Sequence, residues 1–150
     1  MIKVLFICHG NICRSPMAQY VFEDMLKKQG IADLFEIDSA ATSREEIGNG
    51  VHHGTRRKLA EMGIPCGDHR ARQVTKADYK FYDYLLIMDA NNRRNLMRII
   101  GSDPEHKVHG LLDFSRRPRD IADPWYTGNF DVTYEDIAEG CTDFLQHVMK

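Results

Sequence analysis

Residues 2–7 are rich in branched and aromatic side chains and show no alternation of apolar and polar positions. This pattern is typical of a strand that is covered on both faces, as in a parallel sheet. Parallel strands cannot be joined by tight turns, so they need long crossover connections, which are usually helices. The chain is therefore expected to alternate strands and helices.

The rest of the sequence fits this alternation. Apolar segments predict three further strands, at residues 34–38, 84–88 and 108–112. Helical spacing of apolar residues predicts helices that begin near residues 15, 55, 89 and 133. Ser15 and Asp89 are expected to cap two of them, and Thr133 with Asp136 to form the capping box of the last. The prediction is an α/β fold with a doubly wound parallel sheet, whose ligand site lies at the carboxyl ends of the strands.

Size and composition limit the class of protein. A chain of 150 residues matches one domain, so we predict a single domain over residues 1–150. Its 43% hydrophobic and 28% charged residues fit a soluble globular protein. The 20 Lys and Arg against 22 Asp and Glu give a net charge of −2, which argues against a general nucleic-acid binder. The apolar run from Val4 is too short for a secretory signal or a membrane span, which predicts a cytoplasmic protein with no membrane partner.

In a reducing compartment, cysteines direct attention to thiol chemistry. Cys8 and Arg14 bracket five residues between the first strand and the first helix. A loop of that length can turn its backbone N–H groups toward one point and so bind an oxyanion. These donors and the Arg14 guanidinium favour the thiolate of Cys8, and Arg14 can hold two phosphate oxygens. The loop suits phosphoryl transfer to sulfur, although most cysteines at strand ends are only small buried hydrophobes.

Transfer of a phosphoryl group to sulfur requires an acid to protonate the leaving oxygen. Two long irregular stretches, residues 44–54 and 112–129, are candidate active-site loops. The second contains Asp123, followed by Pro124, Trp125 and Tyr126. Asp-Pro is also a common turn opener, but two adjoining aromatic residues can wall a slot for a flat substrate ring. We therefore take Asp123 as the candidate acid in the first step and the base that activates water in the second.

Residues 8–18, which read CHGNICRSPMA, closely resemble the signature of the low-molecular-weight protein tyrosine phosphatases. Residues 38–40, 69–73 and 123–128 resemble later blocks of that family in the same order. The resemblance implies a four-stranded parallel sheet flanked by helices and a hydrolase that needs no cofactor and no metal. It implies that Cys8 is the nucleophile, that Arg14 binds phosphate and that Asp123 is the general acid.

The resemblance extends to further residues. The loop residues expected to bind phosphate are His9, Gly10, Asn11, Ile12, Cys13, Arg14 and Ser15. A polar network of Ser15, Ser39 and His69 would hold Asn11 in a left-handed turn. Ser15 has a second compatible role, as a hydroxyl donor to the Cys8 thiolate. The residues expected to line the substrate cleft are Ile12, Ile47, Trp125 and Tyr126. Residues 42–50 depart from many family members, which carry an aromatic side chain there, and Ile47 is the only large apolar candidate in that segment.

The leading interpretation is a monomeric protein-tyrosine phosphatase, with phosphotyrosine-containing proteins as substrates and inorganic phosphate as product and competing ligand. A related arginine phosphatase carries a smaller threonine at the position of Ile12, so the bulky Ile12 favours tyrosine. An arsenate reductase of similar fold needs further cysteines, which the region around residues 80–90 lacks. A noncatalytic phosphopeptide-binding module would need neither Cys8 nor Asp123.

The remaining cysteines leave two questions open. Cys8 and Cys13 lie in one tight loop, so Cys13 is either a redox partner that forms a reversible disulfide or a small packed side chain. Cys66 and His69 have a C-x2-H spacing without a second ligand pair, which argues against a zinc site. Cys141 lies on the apolar face of the last helix and is expected in the core.

Overall fold

The computed structural model describes residues 1–150, and its centre is a four-stranded sheet with the strand order β2-β1-β3-β4. All three strand pairs are parallel, which confirms the predicted sheet. The strands are β1 Ile2–Cys8, β2 Phe35–Ala41, β3 Tyr84–Ile87 and β4 Val108–Gly110.

Helices connect the strands and cover both faces of the sheet. They are α1 Arg14–Lys28, α2 His53–Glu61, α3 Lys76–Phe81, α4 Ala90–Ile100, α5 Pro124–Thr127 and α6 Phe130–Val148. Two 3-10 turns, Ala32–Leu34 and Leu111–Phe114, precede β2 and follow β4. None of the helices combines the length and apolar character that a membrane span requires.

The side chains of β1 divide between two apolar clusters. Phe6 contributes to the larger cluster, under α1 and α6, where its ring lies 5.8 Å from that of Phe22. Leu5 and Ile7 contribute to the smaller cluster, under α3 and α4. The strand is therefore buried on both faces, as its lack of alternation predicted. Cys8 shares the face of Phe6 and lies at the edge of the larger cluster.

Two helix starts differ from the prediction. α1 begins at Arg14, so Ser15 is inside the helix and its hydroxyl contacts Cys8 and Asn11 instead of capping. α6 begins at Phe130 with Asn129 as its cap. Thr133 therefore lies within α6, where its hydroxyl donates to the carbonyl of Ala122 at 3.0 Å. The predicted capping roles of Ser15 and Thr133 are both wrong, because both hydroxyls have partners outside the helix start.

Other boundaries also shifted. The fourth strand ends at Gly110 instead of residue 112, and the chain continues as a 3-10 turn. α3 was not predicted, although the Thr75 and Asp78 of its capping box have the spacing of that motif. The predicted cap of α4 is confirmed, since Asp89 accepts from the backbone N–H of Asn92 at 2.8 Å.

The parallel register brings distant segments to one edge of the sheet. Cys8 is paired with Ala41, and Ile7 with Ile87. An isolated bridge from Ala41 to Gln73 adds the segment that precedes α3. The loops after β1, β2 and β3 consequently meet at the carboxyl ends of the strands, where the ligand site of such a sheet is expected.

Candidate active site

The sulfur of Cys8 is surrounded by hydrogen-bond donors from the loop after β1 and from the first turn of α1. The backbone N–H groups of Asn11 and Ser15 donate to Sγ at 3.3 and 3.4 Å, and the Ser15 hydroxyl lies 3.0 Å away. Cys8 is buried and carries no disulfide. Donors that converge on a sulfur can stabilise the negative charge that develops on it when it acts as a leaving group.

A buried polar network fixes the direction of the Ser15 hydroxyl. The side-chain NH2 of Asn11 donates to the hydroxyl oxygens of Ser15 at 2.7 Å and of Ser39 at 3.0 Å. Because Ser15 Oγ already accepts this bond, its own hydrogen is free to point at Cys8 Sγ. Ser39 donates to the side-chain oxygen of Gln19 at 2.6 Å. The network therefore presents Ser15 to the sulfur as a donor.

Asn11 holds an unusual backbone conformation at the centre of this network. Its φ is 59°, in the left-handed region that few non-glycine residues adopt. Its side-chain oxygen accepts from Nε2 of His69 at 2.7 Å and from the backbone N–H of Arg72 at 3.2 Å. Burial lowers the pKa of His69, although Asp38 acts in the opposite direction. A neutral His69 with its proton on Nε2 satisfies the contact with Asn11.

Arg14 is a buried cation that reaches the floor of the site. Its side chain is 2% exposed, and Nη1 donates to Asp89 at 2.7 Å and to the carbonyl of Ile121 at 2.8 Å. Nη2 lies 3.4 Å from the carboxylate of Asp123. Burial alone would lower the pKa of Arg14, but the neighbouring Cys8 and Asp89 outweigh it and raise this pKa. Arg14 therefore remains charged.

Asp123 lines the same cleft as Cys8 and Arg14, at the N-terminus of α5. One carboxylate oxygen accepts from the backbone N–H of Trp125 at 3.0 Å, and the other faces Arg14. The side chains of Trp125 and Tyr126 are 58% and 81% exposed and form one wall of the cleft. The cleft thus combines Cys8 and Arg14, from the loop between β1 and α1, with Asp123 from a distant part of the chain.

The other wall differs from the prediction for residues 42–50. Glu45 and Glu46 line the cleft, whereas Ile47 is half-exposed and does not belong to the lining. The reason is the anchoring of this segment: the backbone N–H and the hydroxyl of Ser43 both donate to the carbonyl of His9. His9 Nε2 also contacts the carboxylate of Glu45 at 3.1 Å, which holds that side chain at the cleft. Ile12 does line the cleft, as expected.

Cys13 lines the same cleft as Cys8 and is buried. Burial, with the nearby Cys8 and Asp123, raises the pKa of its thiol to about 12. Two further members of the site were missed as such by the sequence analysis: Asp89, assigned only as a helix cap, and Gln19. Little in the sequence indicated that these two residues belong to the site. The one indication is that Asp89 follows a strand predicted to be buried, at the ligand-binding edge of the sheet.

Comparison with known proteins gives consistent matches over the whole chain. The family model described as low molecular weight phosphotyrosine protein phosphatase matches residues 3–150. Low molecular weight protein-tyrosine-phosphatase YfkJ of Bacillus subtilis is 40% identical, with 100% of this chain and 97% of that protein aligned. The human low molecular weight phosphotyrosine protein phosphatase is 39% identical, over 96% of this chain and 94% of that protein. The crystal structure of YfkJ is similar with a TM-score of 0.95 at 39% identity, covering 99% of this chain and 95% of that one.

Proposed function

Because the chain belongs to the low molecular weight phosphotyrosine protein phosphatase family, we propose that it hydrolyses phosphotyrosine in proteins through a cysteinyl-phosphate on Cys8. The observation that carries this proposal is the environment of the Cys8 sulfur, with two backbone N–H donors and the Ser15 hydroxyl directed at it. Arg14 and Asp123 line the same cleft. In this proposal Cys8 is the nucleophile, Arg14 binds the anion and Asp123 is the acid.

In the first step Cys8 Sγ attacks the phosphorus atom of the bound monoester. The S–P bond forms while the bond from phosphorus to the tyrosine oxygen breaks. Arg14 and those backbone N–H groups of residues 9–15 that do not donate to Sγ hold the three remaining phosphate oxygens, whose charge they stabilise in the transition state. Asp123 donates its proton to the departing tyrosine oxygen.

In the second step a water molecule releases the phosphate. Asp123, now a carboxylate, takes a proton from the water, whose oxygen attacks phosphorus as the S–P bond breaks. Cys8 leaves as a thiolate, and the Ser15 hydroxyl donates to the developing negative charge on sulfur. The products are tyrosine on the protein and inorganic phosphate, which also competes with substrate for the loop. No step requires a metal or a cofactor.

We assign this activity to residues 1–150 as one domain, acting as a monomer in the cytoplasm. All groups of the proposed mechanism come from one chain, so a second subunit is not required for catalysis. The four cysteines are free, and three of them are buried. Free thiols of this kind suit a reducing compartment.

The direct test is phosphate release from peptides of one sequence that carry phosphotyrosine, phosphoserine or phosphoarginine. Phosphotyrosine should be cleaved much faster than the other two, because the exposed rings of Trp125 and Tyr126 suit a flat aromatic group and the bulky Ile12 also lines the cleft. Cys8→Ser should bind phosphate but neither turn over nor form a trappable phosphoenzyme. Preference for phosphoarginine, or substantial turnover by Cys8→Ser, would overturn the proposal.

A further inference from the structure

His52 lies where the loop of residues 8–14 meets the start of α2. Its backbone N–H donates to the carbonyl of Ile12 at 2.8 Å. Its Nδ1 accepts from the backbone N–H of Gly54 at 3.0 Å, so the side chain caps α2. A helix cap needs only one acceptor atom, which Asn supplies as well as any residue. The cap therefore does not account for the imidazole ring itself.

The imidazole of His52 belongs to a group of packed rings. It stacks on Phe130, with centroids 5.5 Å apart and planes 15° apart, and on His53 at 4.2 Å. Trp125 meets it edge to face, with centroids 5.5 Å apart. Phe130 packs against Gly54 so closely that a Cβ there would lie 2.3 Å from the Phe130 ring. The rings thus join α2 to α5 and to the first residue of α6.

Trp125 connects these rings to the acid. Its backbone N–H donates to Oδ1 of Asp123 at 3.0 Å, so the position of Trp125 helps to set the direction of that carboxyl. α5 is only four residues long, and the Trp125 side chain is 58% exposed. The imidazole of His52 is the only aromatic partner of Trp125 in the structure. This ring contact therefore links the Trp125 side chain to the rings at the start of α2 and α6.

The charge state of His52 suits a packing role. Burial and the adjacent His53 lower its pKa, while the carboxylates of Asp123 and Glu46 act in the opposite direction. The ring is neutral at pH 7, with its proton on Nε2 because Nδ1 accepts from Gly54. A neutral imidazole can stack on Phe130 without desolvation of a charge.

We propose that His52 is a positioning residue whose ring holds Trp125, and through Trp125 the carboxyl of Asp123, in place for proton transfer to the leaving oxygen. The inference rests on the proposed role of Asp123 as the general acid. Small displacements of a catalytic group reduce rates steeply. Loss of the ring should therefore slow the step that needs the acid more than it weakens phosphate binding.

Two substitutions separate the ring from the helix cap. His52→Asn keeps a capping acceptor and removes the ring, whereas His52→Phe keeps a flat ring and removes the acceptor. The first readout is the fluorescence of Trp125, which is the only tryptophan of the chain. The second is the ratio of kcat/KM for phenyl phosphate, with its poor leaving group, to that for p-nitrophenyl phosphate. Inhibition by inorganic phosphate shows whether each variant still binds phosphate. Thermal melting shows whether each variant is folded.

His52→Asn should shift Trp125 emission to longer wavelength, increase its quenching by acrylamide and lower the kcat/KM ratio about tenfold. His52→Phe should keep both readouts near those of the wild type. Unchanged readouts in His52→Asn, or an equal or larger change in His52→Phe, would overturn the inference. The proposed function is tested separately, by turnover of phosphotyrosine peptides. Trp125 fluorescence does not depend on that turnover, so the two proposals can fail independently.

Discussion

Arg14 and Asp89 form an ion pair of 2.7 Å between the first turn of α1 and the cap of α4. The two oxygens of Asp89 have separate partners, since Oδ1 accepts from the backbone N–H of Asn92 and Oδ2 from Arg14. One carboxylate thus caps α4 and also holds the guanidinium of Arg14, which lines the cleft. The two roles can be separated by experiment.

Asp89→Asn should leave α4 capped, because Asn is as good a cap as Asp, but it removes the charge that holds Arg14. A hydrogen bond to a charged group contributes about 1.5–3 kcal/mol, so we expect kcat/KM for phosphotyrosine to fall roughly 10- to 100-fold. Thermal melting should stay close to that of the wild type. If folded Asp89→Asn protein had the kcat/KM of the wild type, Arg14 would not need a charged partner at position 89 for its role in catalysis.

Asp123→Asn tests the acid through the leaving group. The tyrosine oxygen has a pKa of about 10, so its expulsion without a proton is slow, and a positioned acid contributes roughly 10²- to 10⁴-fold. We expect kcat/KM to fall by that factor for phosphotyrosine and far less for an aryl phosphate with a more acidic phenol. The comparison uses kcat/KM because it reports events up to the first irreversible step.

An equal loss for both substrates would instead make Asp123 a binding or structural residue. Asp120 would then be the nearest alternative acid in that loop, and Asp120→Asn is the matched control. It removes a carboxylate that does not line the cleft. This variant should keep the leaving-group dependence of the wild type.

Peroxide treatment tests the open question about Cys13. Peroxide would convert the Cys8 thiolate to a sulfenic acid, which condenses with the Cys13 thiol to a disulfide and water. Because the pKa of Cys13 is about 12, this closure should accelerate as the pH rises from 6 to 9. Activity of the wild type should return with reductant, and that of Cys13→Ser should return less. If reductant restored activity equally in the two proteins at every pH, Cys13 would be a packed side chain and not a redox partner of Cys8.

Two residues of the irregular stretch 112–129, which contains Asp123, bind a carboxylate of α6 whose charge depends on pH. Glu139 accepts from Arg119 at 3.1 Å and from the hydroxyl of Ser115 at 2.6 Å. These contacts, with that to Arg119 the larger, lower the pKa of Glu139 from 4.5 to about 2. The unfolded chain therefore binds more protons in this range. The stability from Glu139 is fully present above pH 4.5 and is lost as the pH falls toward 2.

Glu139→Gln should accordingly have a lower urea midpoint than the wild type at pH 7, and the difference should shrink as the pH falls from 5 toward 3. The measurement is urea unfolding at closely spaced pH values. Glu36→Gln is the control, because Glu36 is exposed on β2 and makes no ion pair. A difference between wild type and Glu139→Gln that is independent of pH would contradict the assignment.

The sequence predicted the elements whose signal is local. The first strand has a composition that only a strand buried on both faces explains, and the cap at Asp89 follows from a short-range rule. The residues between Cys8 and Arg14, with the strand before them and the helix after them, also predicted an anion-binding loop from local sequence. The parallel sheet then required this loop to lie at the carboxyl edge, where the structure places it.

The predictions that were wrong concern residues whose positions depend on contacts with other elements of the fold. Ser15 and Thr133 looked like helix caps. The Ser15 hydroxyl instead contacts Cys8, the other role expected for it, and the Thr133 hydroxyl donates to the carbonyl of Ala122, which no local pattern reveals. Ile47 was expected in the cleft because it is the only large apolar residue of its segment. The structure turns Glu45 inward instead, through a contact with His9 that lies 36 positions away.

The contacts of Arg14 have a consequence for how the chain folds. Its partners Asp89 and Asp123 lie 75 and 109 positions further along the chain, and Asn11 meets His69 across 58 positions. Each contact closes a long loop, whose entropy must be offset before the contact contributes. Such closures are late and slow events in folding. Recovered turnover during refolding should therefore report the final assembly of the whole chain, while signals from α1 or α6 alone appear earlier.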